Sequence, residues 1–307
     1  MDSEDKQFSA RMGDSGEVPE IGLISDLVTL TKARLSFLVI LTTFVGFCMA
    51  GSGSLKWGLL FHAIFGTTLA AAAAAVLNQW TESHVDRLME RTRQRPLPAG
   101  RMEPAFALWF GIALALGGVA WLWFTTNALS ALLAAATVLI YLFLYTPLKR
   151  RTAYCTLIGA VSGAIPPVIG WTAAQGESPF LGLWAWVLFG VLFTWQMPHF
   201  LAIAWIYRDE YAQAGFVMLK REDAGGLWTA LVSLFFAGLL AITCSVPYFA
   251  GLNTSVYLFG ALILNGALLF LASRFLLERS TTTARRLFFG SIFFLPLLLG
   301  VMVLTKR

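Results

Sequence analysis

Three oxygen-bearing side chains recur at four-residue spacing: Asn78, Glu82 and Asp86. On a helix, positions four apart stack on one face. Two carboxylates and a carboxamide so stacked present hard oxygen donors, which Mg²⁺ takes up together with phosphate oxygens and water. Arg91, Arg93 and Arg95 follow within one short segment. Guanidinium groups match phosphate oxygens with a planar fork. Carboxylates beside arginines point to a metal–diphosphate site. A solvated basic loop explains the arginines well and the row less well. The row begins inside an apolar helix end, where polar groups are costly and are functional candidates by default.

A second constellation runs from Trp195 to Met218. Gln196 and His199 interrupt an apolar run, and Pro198 is expected to kink it. Asp209 and Glu210 follow at its end, offering carboxylates opposite the first set. From the residues alone, a hydrogen-bonded structural histidine at the kink outweighs a functional one, and the two acids suit a plain surface equally. Tyr145-Thr146-Pro147-Leu148 leads into three cations, Lys149, Arg150 and Arg151. They serve phosphate binding or membrane anchoring, and Lys32 and Arg34 carry the same anchoring reading. Ser162-Gly163-Ala164-Ile165-Pro166-Pro167 permits close packing or a helix break that lines a cavity. Cys48, Cys155 and Cys244 form no CxxC pair and read as small buried hydrophobes.

The elements that position these residues follow from composition. Of 307 residues, 58% are hydrophobic and 13% charged, against about 25% charged in soluble domains. Long continuous apolar runs favour membrane helices over a barrel. The expected fold is an all-α integral membrane protein. Nine spans lie near 35–52, 58–80, 104–124, 128–147, 155–174, 180–204, 227–249, 254–274 and 286–304. Each approaches the about 20 residues that cross a bilayer core. They are expected to form one bundle around a central cavity, over residues 26–307. Residues 1–25 are polar and acidic, without the pattern of a signal peptide, and read as a disordered cytosolic tail. With the N-terminus cytosolic, 19 of the 22 Lys and Arg fall on the cytosolic side, as the positive-inside rule requires. The net charge of +5 is thus a topology signal and does not indicate nucleic acid. The polar loops after the second and sixth spans hint at a duplicated four-helix unit.

The pattern Asn78-x3-Glu82-x3-Asp86, followed by Met89-x-Arg91-Thr92-x2-Arg95-Pro96-Leu97, resembles the first signature of the UbiA-type intramembrane prenyltransferases. Within them the chain is similar to the protohaem IX farnesyltransferase (haem O synthase) family. That likeness rests on Leu30-Thr31-Lys32, Tyr145-Thr146-x-Leu148-Lys149-Arg150, Gly163-Ala164-x-Pro166-Pro167-x2-Gly170-Trp171 and Trp195-Gln196-x-Pro198-His199-Phe200. Asp209-Glu210-Tyr211-x3-Gly215-x2-Met218 adds to it. It covers about residues 28 to 305. The chain departs twice: Glu82 stands where the family usually has Asp, and Asp209-Glu210-Tyr211 stands where Glu-Asp-Tyr is common.

The resemblance implies transfer of farnesyl from farnesyl diphosphate to a vinyl group of haem B, with addition of water, giving haem O and pyrophosphate. It implies Mg²⁺ held by Glu82, Asp86 and one of Asp209 and Glu210. Asn78, Lys149, Arg91 and Arg95 are then expected on the diphosphate, and Tyr145, Arg150, Gln196 and His199 among the substrate-binding residues. For His199 two roles stay open, haem axial ligand or proton handling and positioning. The implied setting is a bacterial inner membrane with cytosolic active-site loops, near a haem A synthase or terminal oxidase assembly proteins. Other readings are an aromatic acceptor such as 4-hydroxybenzoate, a transporter, or a haem-handling assembly factor. Transport expects charges near the bilayer midplane, whereas these lie at one mouth.

Overall fold

The computed structural model describes residues 22–51, 54–220 and 222–307, without the side chains of 33–36. Most of the expected acidic tail, with Lys6 and Arg11, lies outside the described residues, as does Arg221. Residues 22–25, placed in that tail by composition, instead open a short helix.

All regular elements among the described residues are helical. They are α1 (Leu23–Leu30), α2 (Ala33–Ala50), α3 (Trp57–Asp86), α4 (Pro104–Thr125) and α5 (Ala128–Leu139). α6 (Cys155–Ala164), α7 (Pro166–Ala174), α8 (Leu183–Ile206), α9 (Arg208–Gln213), α10 (Leu227–Phe249), α11 (Ser255–Glu278) and α12 (Thr281–Leu304) follow. α5 continues through a π-helical stretch, Ile140–Tyr145, and a last turn, Thr146–Leu148. Eight helical stretches are long and apolar enough to cross a membrane, and a shorter apolar one covers Phe37–Ala50.

Burial separates inner from outer helices. Cys155–Ala174 and Leu183–Ile206 bury 72% and 67% of their apolar stretch, and Pro104–Thr125 only 22%. The first two are therefore interior, and the last presents most of its surface to lipid. Neighbours in sequence pack side by side, while α12 returns to α8 and α2. Of the two readings of Ser162–Pro167, a break is present at Pro166, dividing α6 from α7. α8, by contrast, runs through Pro198 as one helix.

α7 lies hard against α2. A Cβ on Gly170 would overlap the Thr43 carbonyl, and one on Gly46 the Pro167 carbonyl. Only hydrogen atoms fit between these backbones, so the crossing depends on glycine from both sides. Polar side chains tie helices elsewhere. Asn127 accepts from the Ser130 amide at the start of α5 and donates to the Thr172 carbonyl of α7. The Tyr257 hydroxyl donates to the Cys244 carbonyl. In lipid the competing state leaves such groups without water, so these bonds specify partners.

The length of α3 sets up the site. Thirty residues at a rise of 1.5 Å make about 45 Å, longer than a hydrocarbon core of about 30 Å. It is therefore long enough for its last turns, which carry Asn78, Glu82 and Asp86, to reach beyond an apolar layer. α1 lies over this end: Gln79 Nε2 donates to the Leu30 carbonyl at 2.6 Å, and Arg101 forks onto the buried Asp26 carboxylate, Nη2 to Oδ1 at 2.8 Å.

Candidate active site

Asn78, Glu82 and Asp86 are buried and all line one cavity of about 740 Å³. Each meets a partner from another segment. Asn78 Nδ2 donates to Thr146 Oγ1 at 3.2 Å, and Lys32 Nζ donates to Asn78 Oδ1 at 3.4 Å. Lys149 Nζ donates to both Glu82 oxygens at 3.0 Å. Arg95 Nη1 donates to Asp86 Oδ2 at 2.7 Å. Thr92 Oγ1 donates to the Asp86 carbonyl, fastening the arginine loop to the end of α3.

Lys149 and Lys32 are opposite cases electrostatically. Burial disfavours the Lys149 ammonium, but Tyr145 and the Glu82 carboxylate outweigh it and raise its pKa. Its charge lies 4.6 Å from the Tyr145 ring centroid. For Lys32, burial comes first and the Arg95 and Lys149 charges add to it; its pKa falls to about 7 although Glu82 and Asp86 oppose. Lys32 sits at the junction of α1 and α2 with φ 50°, a left-handed turn that brings it back over the cavity.

The π-helical stretch has a local consequence. Its wider turn departs from the 3.6-residue period, and Tyr141 and Tyr145 both line the cavity with rings 5.0 Å apart. Arg91 also lines it. Its guanidinium stacks over Tyr207 at 5.0 Å and donates to the Tyr211 hydroxyl at 3.0 Å. Arg91 is thus held across the mouth by the segment after α8.

His199 reaches the cavity from α8, stacked on Trp195 at 4.9 Å. Its Nδ1 is 2.8 Å from Ser291 Oγ, and that hydroxyl donates its one hydrogen to the Phe288 carbonyl at 2.6 Å. Donation of that hydroxyl to Phe288 matches the tautomer in which Nδ1 donates to Ser291 and Nε2 keeps its lone pair.

Four sequence candidates lie outside this cavity. Gln196 is buried and donates to the Ala160 and Leu192 carbonyls, bracing α8 against α6. Arg150 is exposed and lines a separate hollow of about 370 Å³ that Glu82 also borders. Asp209 is exposed, 4.0 Å from Arg208, and Glu210 is half-buried without lining the cavity. Helical geometry accounts for the acids: Tyr207 and Tyr211 are four apart and share the face toward Arg91, so Asp209 points away. Among the described residues, no three His, Cys, Asp or Glu side chains gather as a metal site. Two carboxylates on a phosphate-suited cavity nevertheless fit Mg²⁺, which commonly takes one or two carboxylates and completes its shell with substrate phosphate and water.

Sequence reasoning passed over Lys32, read as an anchor, and Tyr141. Tyr211 was visible only as part of the Asp209–Met218 stretch.

The model of the UbiA prenyltransferase family matches residues 39–298. A protoheme IX farnesyltransferase of Solibacter usitatus is 41% identical over 290 residues, covering 92% of this chain and 98% of that protein. The human mitochondrial protoheme IX farnesyltransferase is 38% identical, over 92% of this chain and 62% of its own. Among solved structures, a UbiA homologue from Archaeoglobus fulgidus bound to GPP and Mg²⁺ superposes with a TM-score of 0.63, at 13% identity, over 91% of this chain and 99% of that one. With a matched family model and a relative aligned along almost its whole length, this multi-pass membrane chain belongs to the UbiA prenyltransferase family, in its protoheme IX farnesyltransferase branch.

Proposed function

We propose that the chain transfers the farnesyl group of farnesyl diphosphate to a vinyl group of haem B, with addition of water, giving haem O and pyrophosphate. The observation that carries the chemistry is the cavity wall. Four cations, Lys32, Arg91, Arg95 and Lys149, face two carboxylates, Glu82 and Asp86. Mg²⁺, when bound, would be held by Glu82 and Asp86 and would neutralise charge building on the diphosphate. Arg95 and Lys149, freed from their carboxylates, then turn to the phosphate oxygens. Asn78 and Arg91 orient the same group.

Charge stabilised at the leaving oxygens lets the allylic C–O bond break, and the bonding pair leaves with pyrophosphate. The vinyl π pair forms the new C–C bond to the farnesyl carbon. The carbon beside the macrocycle is left cationic and takes water, whose surplus proton must go to a base. His199, which lines the cavity, suits that proton. Tyr141, Tyr145 and Phe216 surround the cavity with ring faces and limit water around the first cation.

We read the chain as nine spans with the N-terminus cytosolic, α2 being the shortest, and residues before α1 as a polar tail. The 19-to-3 split of Lys and Arg supports that orientation. On that reading the cavity mouth opens to the cytosolic side of a bacterial inner membrane, where a soluble diphosphate can reach it.

The test is a product assay in detergent with haem B, farnesyl diphosphate and Mg²⁺. Wild type should yield a farnesylated, hydroxylated haem by mass spectrometry. Asp86→Ala should slow its formation about 100-fold or more. Prenylation of 4-hydroxybenzoate in place of haem would reject the acceptor.

A further inference from the structure

A second hollow, of about 530 Å³, lies between the start of α6, α8 and α10. Leu157, Met197, Leu201, Val232 and Phe236 give it apolar walls. Among its described lining residues, Lys220 is the one charged group, with its ammonium 3.8 Å from the Trp228 ring centroid. Thr156 and Met218 line both this hollow and the diphosphate cavity. The Thr156 hydroxyl oxygen is buried at that shared wall and has no hydrogen-bond partner.

We propose that this hollow seats the haem acceptor, with a propionate on Lys220 and the vinyl edge at the wall formed by Thr156 and Met218. The proposal rests on the haem O reading and adds where the acceptor binds. An acceptor must meet the allylic carbon of a diphosphate held next door, so its seat has to share a wall with that cavity. Haem is a broad apolar plate with two carboxylates on one edge and vinyl groups away from them. Apolar walls with one cation match that pattern. A prenyl tail carries no charge for Lys220, and its diphosphate already has four cations in the first cavity. Leu231 and Phe235 line the hollow and are also exposed on the outer face, so an apolar ligand can enter from the bilayer.

The test compares wild type, Val232→Trp and Lys220→Glu in detergent. Haem binding is read from the Soret band, and binding of farnesyl thiolodiphosphate with Mg²⁺ is read by calorimetry. Val232→Trp, which fills the hollow, should weaken haem binding at least tenfold and leave the thiolodiphosphate unchanged. Lys220→Glu should weaken haem binding severalfold but bind haem dimethyl ester as wild type does. Lys220→Glu changes only a half-buried side chain, so it stands even if the tryptophan variant misfolds. Loss of thiolodiphosphate binding with haem unaffected would make the hollow a prenyl-tail site and overturn the proposal. Wild-type affinity for both ligands in both variants would make it a lipid groove, with the same result. Failure of wild type itself to form haem O would instead reject the parent reading, a separate observation from these affinities.

Discussion

Lys32 is the residue whose role depends most on pH. With its pKa lowered to about 7 in the ligand-free cavity, part of the population is neutral at physiological pH. A bound diphosphate restores the charge and raises that pKa, so binding takes up a proton. Affinity from this group is full below pH 7 and is lost as pH rises through the bound-state pKa. The groups facing it are Arg95 and Lys149, which lower its pKa, and Glu82 and Asp86, which raise it. Calorimetry at pH 7.5 in two buffers of different ionisation enthalpy should show net proton uptake with farnesyl thiolodiphosphate, and Lys32→Met should reduce it. An unchanged uptake in Lys32→Met would place the titrating group elsewhere. Lys32 also shows why part of the site was hidden in sequence. A lysine just before an apolar run looks like an anchor, and the left-handed turn that joins it to Asn78, 46 positions away, leaves no periodic trace. The Asn78–Glu82–Asp86 row was legible because helical spacing alone places it on one face.

Elements account for the remaining differences between sequence and structure. Apolar runs marked most helices closely, and the prolines at 166 and 167 marked the division of α6 from α7. The π-helical end of α5 was not legible, because a single π-helical stretch leaves no period of its own in the sequence. The facing of α9 was likewise hidden. Its tyrosines, rather than Asp209 and Glu210, face the mouth. The α2–α7 crossing supplies a stability prediction. Gly170→Ala sets a methyl against the Thr43 carbonyl, a backbone atom with no rotamer to yield. Overpacking of this kind costs about 1–3 kcal/mol, so the detergent-solubilised variant should melt at lower temperature. Gly117→Ala is the control. Nothing lies within 4 Å of its Cβ position, and alanine favours the helix by about 1 kcal/mol. Equal melting of the two variants would remove the crossing from the account of stability.

For the whole molecule, orientation is the expectation most open to direct measurement. A cysteine at Gln213, the exposed last residue of α9, should react with a membrane-impermeant maleimide in inside-out vesicles and not in intact spheroplasts. It should be introduced with Cys48, Cys155 and Cys244 replaced by alanine. The opposite pattern would invert the topology and place the cavity on the wrong side for a cytosolic diphosphate. The burial pattern separates inner helices α3, α6, α7 and α8 from outer ones that meet lipid, and the cavity draws its side chains from α3, α8, the far end of α5 and the connecting loops. Within it, Lys149–Glu82 and Arg95–Asp86 have a consequence for turnover. Two of the four cations already meet carboxylates, so substrate binds there by a change of counter-ions. When pyrophosphate leaves, the same pairs close again behind it and offset the cost of letting a trianion go. A site wired this way favours repeated release over tight retention, which suits an enzyme whose other product must diffuse away through the bilayer.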